Sequence, residues 1–274
     1  MLRHICAVLI LVFSALLLYS PSGMEVLAEK KTGNSITVVY HHVLGDSSKD
    51  LEPQGGFSAC VRFNGQAILF DTGGERSVLV NNMRALGFDP FGLDAIVISH
   101  NHWDHVYGLP GLSKMTGGNP PVYVPASAEE GIRQQNPRAR LVAMEKSAEI
   151  SPGVWIVGPL KMEYRGFPLA EQVLVLDTEN GLVVLVGCSH PGIVRIIETV
   201  KTHFENKKIA LVCGGFHLRR TPESDLEAVA TSLRELDIES LAPTHCTGDQ
   251  AADIFRRIWG AEVLSFNLGD TLGI

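Results

Sequence analysis

Linkers, charge runs and cysteines are all scarce in this chain of 274 residues. Charged residues make up 19%, below the usual quarter, and the formal net charge is -7. There is neither a basic stripe nor a long run of like charge, which argues against a general nucleic-acid binder and predicts no nucleic-acid partner. No Pro/Gly/Ser-rich stretch divides the sequence and no internal repeat is visible, so one domain is expected from about Ser35 to Ile274. Of the five cysteines, Cys6 lies ahead of the first apolar run, the wrong place for a lipoprotein cysteine. The other four allow three pairings, but a domain this large buries enough core to need no disulfide staples. Cys60 and Cys213 sit in strand-like apolar contexts and read as core. Cys188 and Cys246 each lie within two positions of a histidine.

Long apolar runs are also rare, and the most prominent one is N-terminal. Arg3 and His4 precede Ala7 to Tyr19, an apolar stretch of signal-sequence length and short for a membrane span. Val26-Leu27-Ala28 offers a cleavage site before Glu29. Residues 1–28 are therefore expected to be a signal peptide and the protein to be exported, periplasmic or extracellular. An uncleaved anchor is the alternative, and would be the only membrane contact.

Beyond the leader, strand and helix patterns mix. Ile36 to Tyr40 reads as a strand. Phe57 to Phe63 and Gln66 to Phe70 read as a hairpin joined by Asn64-Gly65. Ser77 to Leu86 has helical periodicity and stops at Gly87. Short strands are predicted at Asp94 to Ser99, Val122 to Val124, Leu141 to Ala143, Val154 to Val157, Val173 to Leu176, Leu182 to Val186 and Ile209 to Cys213. Helices are predicted over Ala126 to Gln135, Ile193 to Phe204, Pro222 to Leu236 and Asp249 to Trp259. Strand clusters with outer helices indicate an α/β layered domain.

The most informative segment is His100-Asn101-His102-Trp103-Asp104-His105, at the end of the β-branched run Asp94 to Ser99. Three imidazoles and a carboxylate in one turn are a metal-ligand composition, since nitrogen and oxygen donors of these types bind zinc-like ions. His100 and His102 alternate along an extended backbone, so both rings can face one way. His190, His217 and His245 each follow a strand-like run, and side chains at the carboxyl ends of strands meet at one edge of an α/β sheet.

With Leu69-Phe70-Asp71-Thr72-Gly73 ahead of the histidine block, the chain resembles the metallo-β-lactamase-fold superfamily. Gly56-Phe57-Ser58, Asn82-Met83, Gly187 to Gly192, Gly214-Gly215-Phe216-His217-Leu218 and His245-Cys246-Thr247-Gly248 narrow the likeness. They resemble the subgroup named for the dihydropterin-ribofuranosyl-aminobenzene phosphate synthase. The resemblance implies a four-layer αββα sandwich with a dinuclear site on one edge. His100, His102 and His190 would hold one divalent metal, and Asp104, His105 and His245 the second. Zinc is the expected ion, with manganese or iron as alternatives. Asp71 would brace the histidine loop. Many superfamily hydrolases bridge their metals with an aspartate in a Gly-Asp step, but the steps here read Gly187-Cys188 and Gly214-Gly215. Either Cys188 or His217 takes that role, or water alone bridges over a weaker second site; the last is the expectation, with His217 turned toward substrate.

The implied chemistry is hydrolysis of an ester, lactone, amide or phosphoester in a small-molecule substrate by a metal-bound hydroxide. Asp104 would orient the nucleophile, and His217 would act as acid or oxyanion donor. Phe57, Trp103, Tyr107 and Phe216 are candidate pocket aromatics, with core packing as the alternative for Phe57. Arg219 and Arg220 are either anion-binding or a solvated pair. A pterin-related transferase and a metal-binding module with little catalysis are the other function classes. The leader weighs against the transferase, because phosphorylated biosynthetic intermediates stay in the cytoplasm. The sequence leaves oligomeric state open.

Overall fold

Two β-sheets packed face to face place His100, His102, His105, His190, His217 and His245 at one end of the molecule. The computed structural model describes residues 33–46, 50–110, 112 and 119–274. The expected leader, residues 1–28, lies outside the described residues.

The first sheet draws on the N-terminal half: β1 (Ser35–Tyr40), β2 (Ser58–Phe63), β3 (Gln66–Phe70), β4 (Ala95–Val97), β5 (Pro121–Pro125) and β6 (Arg140–Met144). The second is built from β7 (Ala148–Ser151), β8 (Val154–Tyr164), β9 (Phe167–Thr178), β10 (Gly181–Val186), β11 (Ile209–Gly215) and β12 (Ile238–Thr244). The chain ends by returning β13 (Thr271–Gly273) to the first sheet, giving orders β13-β1-β2-β3-β4-β5-β6 and β12-β11-β10-β9-β8-β7. Helices α1 (Arg76–Ala85), α2 (Trp103–Val106), α3 (Glu129–Gln135), α4 (Ile193–His203), α5 (Glu223–Glu235) and α6 (Asp249–Trp259) connect the strands.

Period-two alternation explains the layers. In β10, Val183 and Leu185 face the other sheet, while Leu182, Val184 and Val186 pack under α4, α5 and α6. In β2, Ala59, Val61 and Phe63 fill the space between sheets, and Cys60 faces the α1 side. Strands apolar on both faces need a helix layer on each outer side, and the result is the expected αββα sandwich in a single domain. Cys60 and Cys213 are buried as expected, and no disulfide joins the described cysteines.

Register follows from local chemistry. Asn64 and Gly65 both take positive φ (50° and 80°), the requirement of a tight hairpin turn whose twist matches its strands. β3 to β6 run parallel, as do β10 to β12. Parallel strands deliver their carboxyl ends to the same edge.

Two expectations need revision. Strands read as ending at Val157 and starting at Val173 are long, and continue through an extended hairpin whose turn is Arg165-Gly166. Exposed residues interrupt their apolar pattern, so hydropathy sees only the buried roots. The strand read as Asp94 to Ser99 is regular only over Ala95–Val97. Beyond it the backbone leaves the ladder, with Ile98 donating to the Tyr123 carbonyl and Ser99 donating to an Asp71 carboxylate oxygen.

Candidate metal centre

The histidine block starts where β4 ends. Asp71, directly after β3, is fully buried and takes φ 56°, and its carboxylate organises the loop. Oδ1 accepts the Ser99 backbone N–H at 2.7 Å, while Oδ2 accepts the Ser99 hydroxyl and His105 Nδ1–H, each at 2.7 Å. Asp71 thus braces the block, as the resemblance implied.

These bonds fix two tautomers. A carboxylate only accepts, so the Ser99 hydroxyl spends its proton on Asp71 and must accept from His100 Nδ1–H at 2.8 Å. His100 therefore presents its lone pair at Nε2. By the same rule His105 donates from Nδ1 and presents Nε2 toward Cys188 and Asp104. A metal-binding histidine needs this arrangement, one nitrogen held by the protein and the other free.

The loops after β4, β10, β11 and β12 bring the remaining groups in. His100 Nε2 lies 3.1 Å from His102 Nδ1, and the ligand atoms of His100, His102 and His190 all fall within 4.8 Å of one another. The second group gathers around Asp104, in the first turn of α2. Its Oδ2 is 3.8 Å from His105 Nε2 and 3.5 Å from His245 Nε2. Of the six sequence-predicted ligand positions, His102, Asp104, His190 and His245 line one cavity, and the fully buried His100 and His105 stand directly behind them. His217, after β11, is exposed at its edge, with its ring centroid 4.3 Å from that of His190.

His190 and His245 supply the test of fit. Each is only 9% exposed, yet neither ring nitrogen of His190 has a hydrogen-bond partner, and His245 has only the Asp104 carboxylate 3.5 Å from Nε2. An imidazole buried without partners costs free energy unless something answers its lone pair. A divalent cation would answer both, and the donor set of imidazole and carboxylate suits one.

Electrostatics agree. Burial, then the neighbouring imidazoles, hold His100 well below the ordinary histidine range and His190 down at about 2, so both present lone pairs at neutral pH. Burial also opposes charge on His105, but the Asp71 charge and hydrogen bond, with Asp104, outweigh it and raise the ring to about 9. Positive charge is favoured at His105 Nε2, whether proton or metal. Asp104 is depressed despite burial, through His245 and His105.

Several contributors were not singled out in the sequence. Glu171 in β9 is fully buried; Oε1 accepts the backbone N–H groups of Cys188 and Ser189, and Oε2 that of His190, each at 2.8 Å. Burial raises its pKa to about 6, against those three donors. Glu171-Gln172 inside an otherwise apolar run was the available signal, because buried polar residues in a strand demand partners. His41 accepts the His245 backbone N–H at Nε2, 3.1 Å away. Tyr164 stacks near His190 with ring centroids 4.5 Å apart, a contact that only the long hairpin makes possible.

Glycines admit these loops. A Cβ on Gly187 would sit 2.1 Å from Ser99 Oγ and 3.2 Å from Asp71 Oδ2. Gly187→Ala is therefore expected to break the brace and cost about 1–3 kcal/mol, read by thermal denaturation alongside metal content. Non-glycine residues at positive φ cluster here too: Asp71, Ser189, His217 and His245. Such strain gathers at functional sites.

The cavity, about 620 Å³, is walled by His102, Asp104, His190 and His245 with Tyr164 and Trp103, and Arg165 and Arg219 also line it. Trp103 is 56% exposed. Phe57 and Phe216 are core residues, and Tyr107 and Arg220 lie outside the lining. Arg219 donates to the His245 carbonyl at 2.9 Å, which ties it to the site.

A family model described as the metallo-beta-lactamase superfamily matches residues 51–194, over half of the chain. The chain belongs to the metallo-beta-lactamase superfamily. The matched span contains Asp71, His100 to His105 and His190. Among curated proteins, the 7,8-dihydropterin-6-methyl-4-(beta-D-ribofuranosyl)-aminobenzene-5'-phosphate synthase of Methanocaldococcus jannaschii is 27% identical over 231 residues, covering 69% of this chain and 78% of that protein. Among solved structures, a metal-dependent hydrolase of the beta-lactamase superfamily is 27% identical at a TM-score of 0.71, over 88% of this chain and 99% of that one. A diphosphatase of the PhnP family shares the fold at a TM-score of 0.58 and 16% identity, over 88% and 97% of the two chains. Superfamily membership implies divalent metals and, in general, metal-dependent hydrolysis.

Proposed function

We propose that this superfamily member is a hydrolase with a dinuclear metal site, acting on an ester, lactone, amide or phosphoester of a small anionic molecule. One observation carries the reading: six ligand-type side chains gather in two groups at one cavity, four of them in its wall, and the buried His190 ring has no hydrogen-bond partner at either nitrogen. His100, His102 and His190 would hold one ion, and Asp104, His105 and His245 the other. Zinc suits these donors, and manganese or iron are alternatives. Bound there, such ions lower the pKa of water and stabilise charge developing on oxygen.

The chain's own residues complete the chemistry. Asp104, beside His245 and His105, would orient the attacking water by accepting its hydrogen bond. His217, at the rim and close to His190, would donate a proton to the leaving group. Arg165 and Arg219 would hold a phosphate or carboxylate at the mouth, because guanidinium pairs with such groups bidentately. Trp103 and Tyr164 would flank the rest of the substrate.

His217→Ala is expected to lower kcat by about 10²–10⁴-fold, the usual contribution of a general acid, and to leave metal content unchanged. Unchanged turnover would remove His217 from this role.

The transferase reading rests on the named archaeal synthase. A panel of activated esters, lactones and phosphodiesters separates the two, on full-length protein stripped by chelator and reconstituted with zinc. Hydrolysis that vanishes with the metal and returns with it is the expected result. Turnover only with a second organic reactant would establish the transferase, and chelator-insensitive hydrolysis would contradict both. Export through residues 1–28 is part of the proposal, tested by the N-terminal sequence of protein recovered from secreting cells.

A further inference from the structure

We propose that Cys188 is itself a metal ligand, its thiolate shared between the two histidine groups. The inference rests on the metal-centre reading above and adds a sulfur donor to it. The step after β10 reads Gly187-Cys188, and it brings Cys188 Sγ to the junction of the two groups. Sγ lies within 4.8 Å of the ligand nitrogens of His100 and His105, of those of His190 and His217, and of that of His245. It thus neighbours ligand positions on both sides.

The distances suit coordination. Zinc bonds of about 2.3 Å to sulfur and about 2.0–2.1 Å to nitrogen, at a tetrahedral angle, place two donors about 3.5 Å apart. Cys188 Sγ is 3.2 Å from His105 Nε2, the nitrogen that the Asp71 bond leaves free. The unpartnered ring nitrogens of His190, a residue nine-tenths buried, point independently to a cation at this junction.

The surroundings are built for the sulfur. Glu171 fixes the peptide by accepting its N–H at 2.8 Å. Cys246 Sγ lies 3.3 Å from Cys188 Sγ, so a second sulfur stands beside the first and has to be separated from it by experiment. Gly215 admits Cys246, since a Cβ there would stand 2.8 Å from its sulfur. A thiol that coordinates a metal is deprotonated outright, so a cation at this junction would hold the sulfur as thiolate. The thiol proton is released to solvent as the metal binds. The alternative, a plain S–H···N hydrogen bond to His105, fits the same distance but leaves no sulfur on the metal.

Cobalt substitution distinguishes them without relying on turnover. Full-length protein is stripped, loaded with Co(II), and its metal counted by elemental mass spectrometry. Wild type is expected to show a near-ultraviolet sulfur-to-cobalt charge-transfer band, with Cys246→Ser retaining it. Cys188→Ser is expected to lose the band and to weaken binding of the second ion on the order of 10–100-fold, at least the effect of losing an outer hydrogen-bond partner. Cys188→Asp is expected to restore stoichiometry without the band. Bound cobalt with no band in wild type, or a band lost in Cys246→Ser but kept in Cys188→Ser, would overturn the proposal while leaving the metal-centre reading intact. No bound cobalt at all would overturn both. A cobalt-loaded wild type without the band overturns the proposal with no variant needed, and Cys246→Ser, which leaves Cys188 in place, tells the two sulfurs apart should Cys188→Ser fold poorly.

Discussion

Asp71→Asn is expected to destabilise the domain by about 3–5 kcal/mol, the cost of breaking a buried charge pair by removing one partner. At roughly 2–4 °C per kcal/mol for a domain of this size, the melting temperature falls on the order of 10 °C. The side chain is nearly isosteric, so packing is spared. The loss comes from hydrogen-bond polarity. All three groups facing the carboxylate are donors: the Ser99 N–H, the Ser99 hydroxyl and His105 Nδ1–H. An amide NH₂ would turn a donor toward one or two of them. The His105 tautomer would then be free to change and the Ser99 link to His100 would slacken. Metal affinity is expected to fall about 10–100-fold, as for other outer partners of ligating histidines. Calorimetry with competitive metal titration reads both effects; a stable variant with unaltered affinity would show that the brace is not needed.

Glu171→Ala should come second. Three backbone N–H groups from Cys188, Ser189 and His190 converge on this one buried carboxylate. Leaving a buried donor unpaired costs about 1–3 kcal/mol each, less than additively where the loop can shift toward water. A loss of about 3–5 kcal/mol is expected. The chemistry should suffer more than the fold, because His190 and Cys188 are presented by that loop. Glu171→Gln keeps one acceptor oxygen and should fall between the two. The check is metal content by elemental analysis beside thermal denaturation. If Glu171→Ala kept its full metal complement at wild-type affinity, the loop would have another source of order.

Much of the site was legible because its chemistry is concentrated. His100 to His105 form one turn, and Asp71, His190, His217 and His245 each close a strand, so residue type and position agree. The layers were legible for a similar reason: β2, β3, β10 and β11 carry strong apolar patterns bounded by turn residues. What stayed hidden depends on distance in sequence. Glu171 meets His190 19 residues later, and His41 meets His245 204 residues later. The outer halves of β8 and β9 carry exposed residues that hide their length, and with it the placement of Tyr164 and Arg165. The role of Cys188 was left as one of three readings. Only the fold shows that its sulfur stands beside both histidine groups, the placement on which the proposed thiolate ligand rests.

The most direct test is the metal content of full-length protein purified without chelators, counted per chain before and after reconstitution with zinc, beside the same count for a His100→Ala, His245→Ala double variant. Two divalent ions per chain in wild type, with sharp depletion in the variant, is the result this account predicts. Wild-type protein that stays folded yet takes up no metal after reconstitution would contradict it.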